Sequence, residues 1–124
     1  MDRKKIVIAD DEPNIRLLMK GLLSEYYTIL EARNGEEAMD FTRKEKPDLM
    51  LLDIKMPVIN GIELYRHFEE TDPSLAQRVI FITGDDTEVI TRDFLDETGA
   101  PHIAKPFNIE YLKKSIDSML TKAI

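Results

Sequence analysis

Five times in succession the chain passes from a short apolar run to a segment whose apolar residues recur at helical spacing, and no other feature restricts its fold so strongly. The runs are Lys5-Ile6-Val7-Ile8-Ala9, Tyr27-Thr28-Ile29-Leu30-Glu31-Ala32, Leu49-Met50-Leu51-Leu52-Asp53, Val79-Ile80-Phe81-Ile82-Thr83 and His102-Ile103-Ala104. Runs this short, bounded by Pro, Gly, Asn or Asp, read as strands. The third is unbroken until Asp53, which suits a strand covered on both faces of a parallel sheet. The second alternates weakly and reads as an edge. Strands that alternate with helices call for a parallel sheet with helices on both sides and right-handed crossovers.

The helical segments carry their own punctuation. Pro13 stands at a first helical position after Asp10-Asp11-Glu12, and Ile15, Leu18, Met19, Leu22 and Leu23 repeat through Ser24. Asn34-Gly35-Glu36-Glu37 offers an N-cap with a glutamate three residues on, opening a helix that buries Ala38 and Phe41 and closes before Pro47. Asn60-Gly61 reads as a turn leading to a helix with Ile62, Tyr65 and Phe68 on one face, broken at Asp72-Pro73-Ser74. A fourth helix, about Thr87 to Thr98, is the most polar and therefore expected to be exposed, with Gly99 just past its end. Asn108 can cap a last helix carrying Leu112, Ile116, Met119 and Leu120 to the end of the chain. The connections leave no room for a second domain, so one domain is expected across residues 1–124.

Composition removes several function classes. There is no cysteine, which excludes disulfides, thiolate metal sites and cysteine nucleophiles. Net charge is −7, from 17 basic and 24 acidic side chains, and Arg3-Lys4-Lys5 is the longest basic run. Direct nucleic-acid binding needs a basic patch and is not expected. No segment approaches the roughly 20 apolar residues of a membrane helix, and the amino terminus lacks a signal-peptide core. A cytoplasmic location is the expectation.

In a parallel sheet the carboxyl ends of all strands lie on one rim, where open α/β sheets bind ligands. Here those ends are Asp10 and Asp11, Asp53, Thr83 and Lys105. Carboxylates brought that close repel one another and need a cation. An oxygen-only ligand set favours Mg2+ or Mn2+, and a small open site suits Mg2+ best. A carboxylate beside Mg2+, with a lysine and a hydroxyl opposite, is what phosphoryl transfer onto aspartate requires. Asp53 would be the nucleophile, with the metal, Lys105 and Thr83 on the transferring oxygens.

Four pieces in order make the match specific: Asp10-Asp11-Glu12, then Leu52-Asp53-Ile54-Lys55-Met56-Pro57 with Asn60-Gly61, then Thr83-Gly84, then Lys105-Pro106-Phe107. Over about residues 4–121 the chain resembles the receiver domain of two-component response regulators. The resemblance implies a doubly wound (βα)5, flavodoxin-like three-layer sandwich with strand order 2-1-3-4-5. It implies that Asp53 accepts a phosphoryl group from a histidine kinase or phosphotransfer domain. It further implies that Asp11, Asp53 and the Lys55 carbonyl bind Mg2+, with Asp10 helping directly or through water. Thr83 and Lys105 would tighten on the phosphate, and Lys105-Pro106 would be a cis peptide. The fourth helix, fifth strand and fifth helix would form the surface that changes, toward an output domain, an output protein or a dimer formed on phosphorylation. Such a domain catalyses only its own phosphorylation and dephosphorylation and is not an enzyme in the ordinary sense. No output domain is expected within the sequence, which reads as a stand-alone regulator or a piece of a longer one, and the stretches 81–85 and 98–101 are similar to receivers attached to hybrid histidine kinases.

Two positions carry expectations of their own. The family usually has Tyr or Phe where this chain has His102, so the switch should pack differently and respond to pH. Lys55 and Asp85, each two residues beyond a rim residue, should pair across the mouth of the site and slow hydrolysis of the acyl phosphate.

Weighed singly, the pieces are ordinary. Asp10-Asp11-Glu12 suits the start of any helix, Thr83 is a common strand end, His67 lies on a solvated face, and the methionines fill core. Competing functions fit worse. A haloacid-dehalogenase-type phosphatase needs a second aspartate where Lys55 stands. A flavodoxin-like flavin carrier needs a Ser/Thr/Gly phosphate loop after the first strand, where this chain is acidic. Neither G-x-x-x-x-G-K-[ST] nor G-x-G-x-x-G occurs. A receiver-like interaction module that is never phosphorylated is the remaining alternative.

Overall fold

The computed structural model describes residues 3–84 and 88–122. Five strands, β1 (Lys5–Ala9), β2 (Thr28–Ala32), β3 (Leu49–Asp53), β4 (Val79–Thr83) and β5 (His102–Ala104), form one parallel sheet in the order β2-β1-β3-β4-β5. The helices are α1 (Pro13–Leu23), α2 (Gly35–Glu45), α3 (Gly61–Thr71), α4 (Val89–Thr98) and α5 (Ile109–Lys122). This is the doubly wound, flavodoxin-like arrangement, with the weakly alternating β2 at an edge as expected.

Side-chain alternation divides the core in two. Ile6, Ile8, Leu49, Leu51, Ile80, Ile82 and Ile103 pack on one face of the sheet against Met19 and Leu23 of α1 and Leu112 and Ile116 of α5. Val7, Ala9, Met50, Leu52 and Phe81 pack on the other against Ala38 of α2, Leu64 and Phe68 of α3, and Phe94 and Leu95 of α4. Each central strand is therefore buried on both faces, which is why β3 and β4 read as unbroken apolar runs. Leu64, fully buried, is the member of the α3 face that the Ile62/Tyr65/Phe68 spacing overlooks, while Phe41 is only partly buried.

Local punctuation mostly acts as read. Asn34 Oδ1 accepts from the Glu37 amide at 2.9 Å, but Glu37 turns its carboxylate to the Arg33 amide and guanidinium instead of closing a capping box. Asn108 Oδ1 caps α5 at the Tyr111 amide. Gly99, at φ 64°, ends α4 in the left-handed conformation. Past α3, Asp72 caps a four-residue helical turn, Pro73–Ala76, that buries Leu75 and Ala76. The Asp-Pro-Ser break is thus a capped turn of its own.

The Asn60-Gly61 pair is not the turn it suggests. Asn60 is the N-cap of α3 and closes a full capping box with Glu63, and the left-handed residue of the loop is Val58 at φ 72°. A β-branched side chain is rarely found there, and such a conformation costs about 1–3 kcal/mol. Gly61 is needed for a different reason: a Cβ at this position would lie 2.6 Å from the Asp53 carbonyl oxygen and 2.9 Å from the Ile54 Cα. Both neighbours are backbone of the segment that presents Asp53. The start of α3 is thereby docked directly under that residue, and the Gly61 amide donates to the Ile54 carbonyl at 2.8 Å.

Candidate functional site

Register explains how distant residues meet. Ala9 pairs with Leu52, so Asp10 and Asp53 leave adjacent strands side by side. Asp10 and Asp53 continue the alternation that buries Ile8 and Leu51, and Lys105 continues that of Ile103, so all three fall on the α1/α5 side of the sheet. Thr83 pairs with Ala104 and continues the alternation of Phe81 toward the α4 side.

Lys105 is the centre of the cluster. Its Nζ lies 2.9 Å from Asp10 Oδ2, 3.2 Å from Asp53 Oδ2 and 3.3 Å from Glu12 Oε1. The Asp53 contact is a hydrogen bond, and Asp53 Oδ1 accepts from the Lys55 amide at 3.2 Å. Asp10 Oδ1 accepts from the Glu12 amide at 2.9 Å, whereas Asp10 Oδ2 meets Lys105 as an ion pair without hydrogen-bond alignment. Asp10 and Asp53 are buried, and Asp11 is exposed at the rim. Thr83 is buried, its carbonyl receives the Lys105 amide at 2.8 Å, and the Lys105–Pro106 peptide is cis.

Burial raises the Asp53 pKa to about 6, helped by the Asp10 charge and only partly offset by Lys105 and the Lys55 amide. Burial works to lower the Lys105 pKa, but its contacts with Asp10 and Asp53 outweigh that and raise it, so the ammonium stays charged. The Asp53 shift fixes a pH dependence for the metal-free protein. The folded state holds the Asp53 proton to higher pH than the unfolded state, so the slope of stability against pH is negative between about 4 and 6. Ionised Asp53 therefore costs stability above pH 6, about 2–3 kcal/mol for a shift of this size. Urea unfolding of wild type and Asp53→Asn, both in EDTA, should show the variant more stable at pH 7.5 and the difference closing toward pH 4. Parallel curves would refute the assignment.

One carboxylate oxygen from each of Asp10, Asp11, Glu12 and Asp53 lies within 4.8 Å of the others. Together with the poorly aligned, buried Asp10 Oδ2, this donor set fits a small hard cation better than it fits lysine alone. Glu12, which the residue pattern left without a role, belongs to the cluster because its amide caps Asp10 and its side chain reaches Lys105. Its place beside the two aspartates was visible in the sequence, but its direction depends on the turn.

Asp85 lies outside the described residues. Lys55 Nζ makes a 2.8 Å ion pair with Glu88 Oε2, just before α4, across an open groove of about 600 Å³ beside Asp11. His102 is solvent-exposed, with Nδ1 3.2 Å from the Ala100 carbonyl oxygen, on the same sheet face as Phe81 and Thr83. At the outer surface of α4, Val89 and Ile90 are exposed, while Thr91, Phe94 and Leu95 are buried. Among the described residues no helix is long and apolar enough to cross a membrane.

A family model described as the response regulator receiver domain matches residues 6–117. Sporulation initiation phosphotransferase F of Bacillus subtilis is 34% identical over 121 residues, covering 97% of this chain and 96% of that protein. The CheY-like response regulator receiver domain protein of Methanospirillum hungatei superposes with a TM-score of 0.87 at 29% identity, over 98% of this chain and 97% of the other. The signal receiver domain of a signal transduction histidine kinase from Syntrophus aciditrophicus gives 0.85 at 30% identity, over 96% and 91%.

Proposed function

The chain belongs to the response regulator receiver domain family of two-component signalling, and on that premise we propose that it is a phosphorylation-dependent switch with Asp53 as phosphoacceptor. The observation that carries the proposal is the placement of one buried carboxylate, Asp53, against a lysine and inside a cluster of three further acids. An Asp53 oxygen attacks the phosphorus of a phosphohistidine on a histidine kinase or phosphotransfer domain. The P–N bond breaks as the P–O bond forms, and the leaving imidazole takes up a proton. Lys105, already beside Asp53, meets the charge on the transferring oxygens as a point cation. The Thr83 hydroxyl donates to another of those oxygens from the end of β4. Asp10, Asp11, Asp53 and the Lys55 carbonyl would hold Mg2+, which when bound supplies further neutralisation of phosphoryl charge. The product is an acyl phosphate on Asp53, later hydrolysed by water, and no external metabolite is turned over.

The readout follows from position. Thr83 ends the strand whose Phe81 packs on Phe94 of α4, with ring centroids 5.3 Å apart. A shift at Thr83 thus reaches the α4, β5 and α5 surface, where Val89 and Ile90 stand ready for an output partner or a second copy. His102, pointing to solvent, replaces an inward ring by a polar one, so the coupling through β5 is weaker and that through Phe81 correspondingly more important. Signal lifetime is set at the mouth. The Lys55–Glu88 pair is half exposed, worth at most about 1 kcal/mol of stability, but it bridges the approach to Asp53. Lys55→Ala should shorten the acyl-phosphate lifetime several-fold, measured as phosphate release after removal of the donor. An unchanged rate would refute the gating role.

The experiment for the proposal is incubation with acetyl phosphate and Mg2+. Intact-mass measurement should show gain of one phosphoryl group, and EDTA should abolish it. No gain in the presence of Mg2+ would leave only the interaction-module alternative.

A further inference from the structure

The acidic rim has a support underneath it that the phosphoryl chemistry does not use. Arg16, at the end of the first turn of α1, is buried with only 11% of its side chain exposed. Its Nη1 donates to the Asp10 main-chain carbonyl at 2.6 Å. Its Nε lies 3.6 Å from Glu31 Oε1 on β2, too far for a hydrogen bond, and Glu31 Oε2 is in turn 3.3 Å from Lys20 Nζ. The carbonyl in question belongs to the Asp10–Asp11 peptide, the first beyond the sheet, since the Asp10 amide makes the last bond to Ala32. On its other side this peptide is held by the Glu12 amide through Asp10 Oδ1.

We propose that Arg16 is a positioning residue for the metal site, setting the plane of the Asp10–Asp11 peptide so that one carboxylate turns inward beside Asp53 and the next turns outward to the rim. A guanidinium suits the task because it can hold the carbonyl with one nitrogen while directing another at Glu31, whereas an ammonium is a single point. A buried guanidinium with an unbonded Nε is costly to keep for packing alone. Its contact to the Asp10 carbonyl is what that cost supports.

The inference rests on the reading of the acidic cluster as a Mg2+ site, and it makes a sign prediction that a merely structural or electrostatic role does not. A cation close to a dication site repels the metal, so removing its charge alone should tighten Mg2+ binding. Removing an outer support should loosen it, by roughly ten- to a hundredfold where such partners have been removed from metal sites. Mg2+ titration of the full chain, by calorimetry and by amide shifts of Asp11 and Glu12, compares wild type with Arg16→Met, Arg16→Lys and Glu31→Gln. Arg16→Met should bind Mg2+ at least tenfold more weakly while its remaining amide spectrum stays folded. Arg16→Lys, which keeps the charge and a donor, should recover part of the loss, and Glu31→Gln, which leaves the carbonyl contact in place, should stay within about threefold of wild type. The Asp11 and Glu12 amides should move in Arg16→Met before any metal is added. Equal or tighter Mg2+ binding by Arg16→Met overturns the proposal, as does a Glu31→Gln loss as large as that of Arg16→Met. Should Arg16→Met fail to fold, Arg16→Lys decides: binding equal to or tighter than wild type overturns the proposal, and weaker binding by a folded protein supports it. Wild type that binds no Mg2+ overturns the metal-site reading itself, and with it this inference.

Discussion

Lys105→Met is expected to bind Mg2+ at least as tightly as wild type yet to take up a phosphoryl group from acetyl phosphate about 10²–10³ times more slowly. The two halves of that expectation come from the same geometry. In the resting cluster the ammonium sits within 3.3 Å of Asp10, Glu12 and Asp53, so it competes for the oxygens a metal would use. Without it, Asp10 and Asp53 face each other with no cation, and Asp53 should hold its proton to a pH above 6 unless metal is supplied. In the transfer step the loss has the opposite consequence, because charge builds on phosphoryl oxygens where Lys105 would have stood. Stopped-time uptake measured at saturating Mg2+ separates the effects. Wild-type uptake by the variant would show that Lys105 serves the fold and not the reaction.

Much of this was legible in the sequence because the fold repeats one unit. Runs such as Leu49–Leu52 and Val79–Ile82 are buried on both faces, so their strand character and the parallel sheet follow from pattern alone. Once the sheet is parallel, the strand ends share a rim, and Asp10, Asp53, Thr83 and Lys105 assemble there without further information. What the pattern could not supply is direction. Glu12 looks like one more acid at a helix start until the turn folds its amide onto Asp10 and its side chain toward Lys105. Arg16 looks like a polar residue on the outer face of α1, because its role is played through a main-chain carbonyl, which has no residue-type signature. Asn60-Gly61 reads as a turn since turns favour that pair, but here a capping box and a close approach to the Asp53 backbone use the same two residues. The ion pair of Lys55 with Glu88 had no signal in spacing, because the two lie 33 positions apart in sequence.

Asp53→Asn should abolish phosphoryl uptake altogether, the largest effect expected of any substitution in the chain. The amide is close in shape to the acid and keeps one acceptor oxygen, enough for the Lys55 amide or for Lys105 but not both; with the buried charge gone, the fold should survive and gain stability near neutral pH. It has no anionic oxygen to attack phosphorus. Neighbouring carboxylates cannot take over: Asp10 is buried behind Lys105, and Asp11 and Glu12 open to solvent. The decisive measurement locates the phosphoryl group. Wild type loaded with acetyl phosphate and Mg2+ is reduced with borohydride, which converts an aspartyl phosphate to homoserine, and then digested for peptide mass spectrometry. Homoserine at position 53 alone, and none in Asp53→Asn, is the expected result. Homoserine at Asp10, Asp11 or Glu12, or equal loading of the Asp53→Asn protein, would contradict Asp53 as the phosphoacceptor.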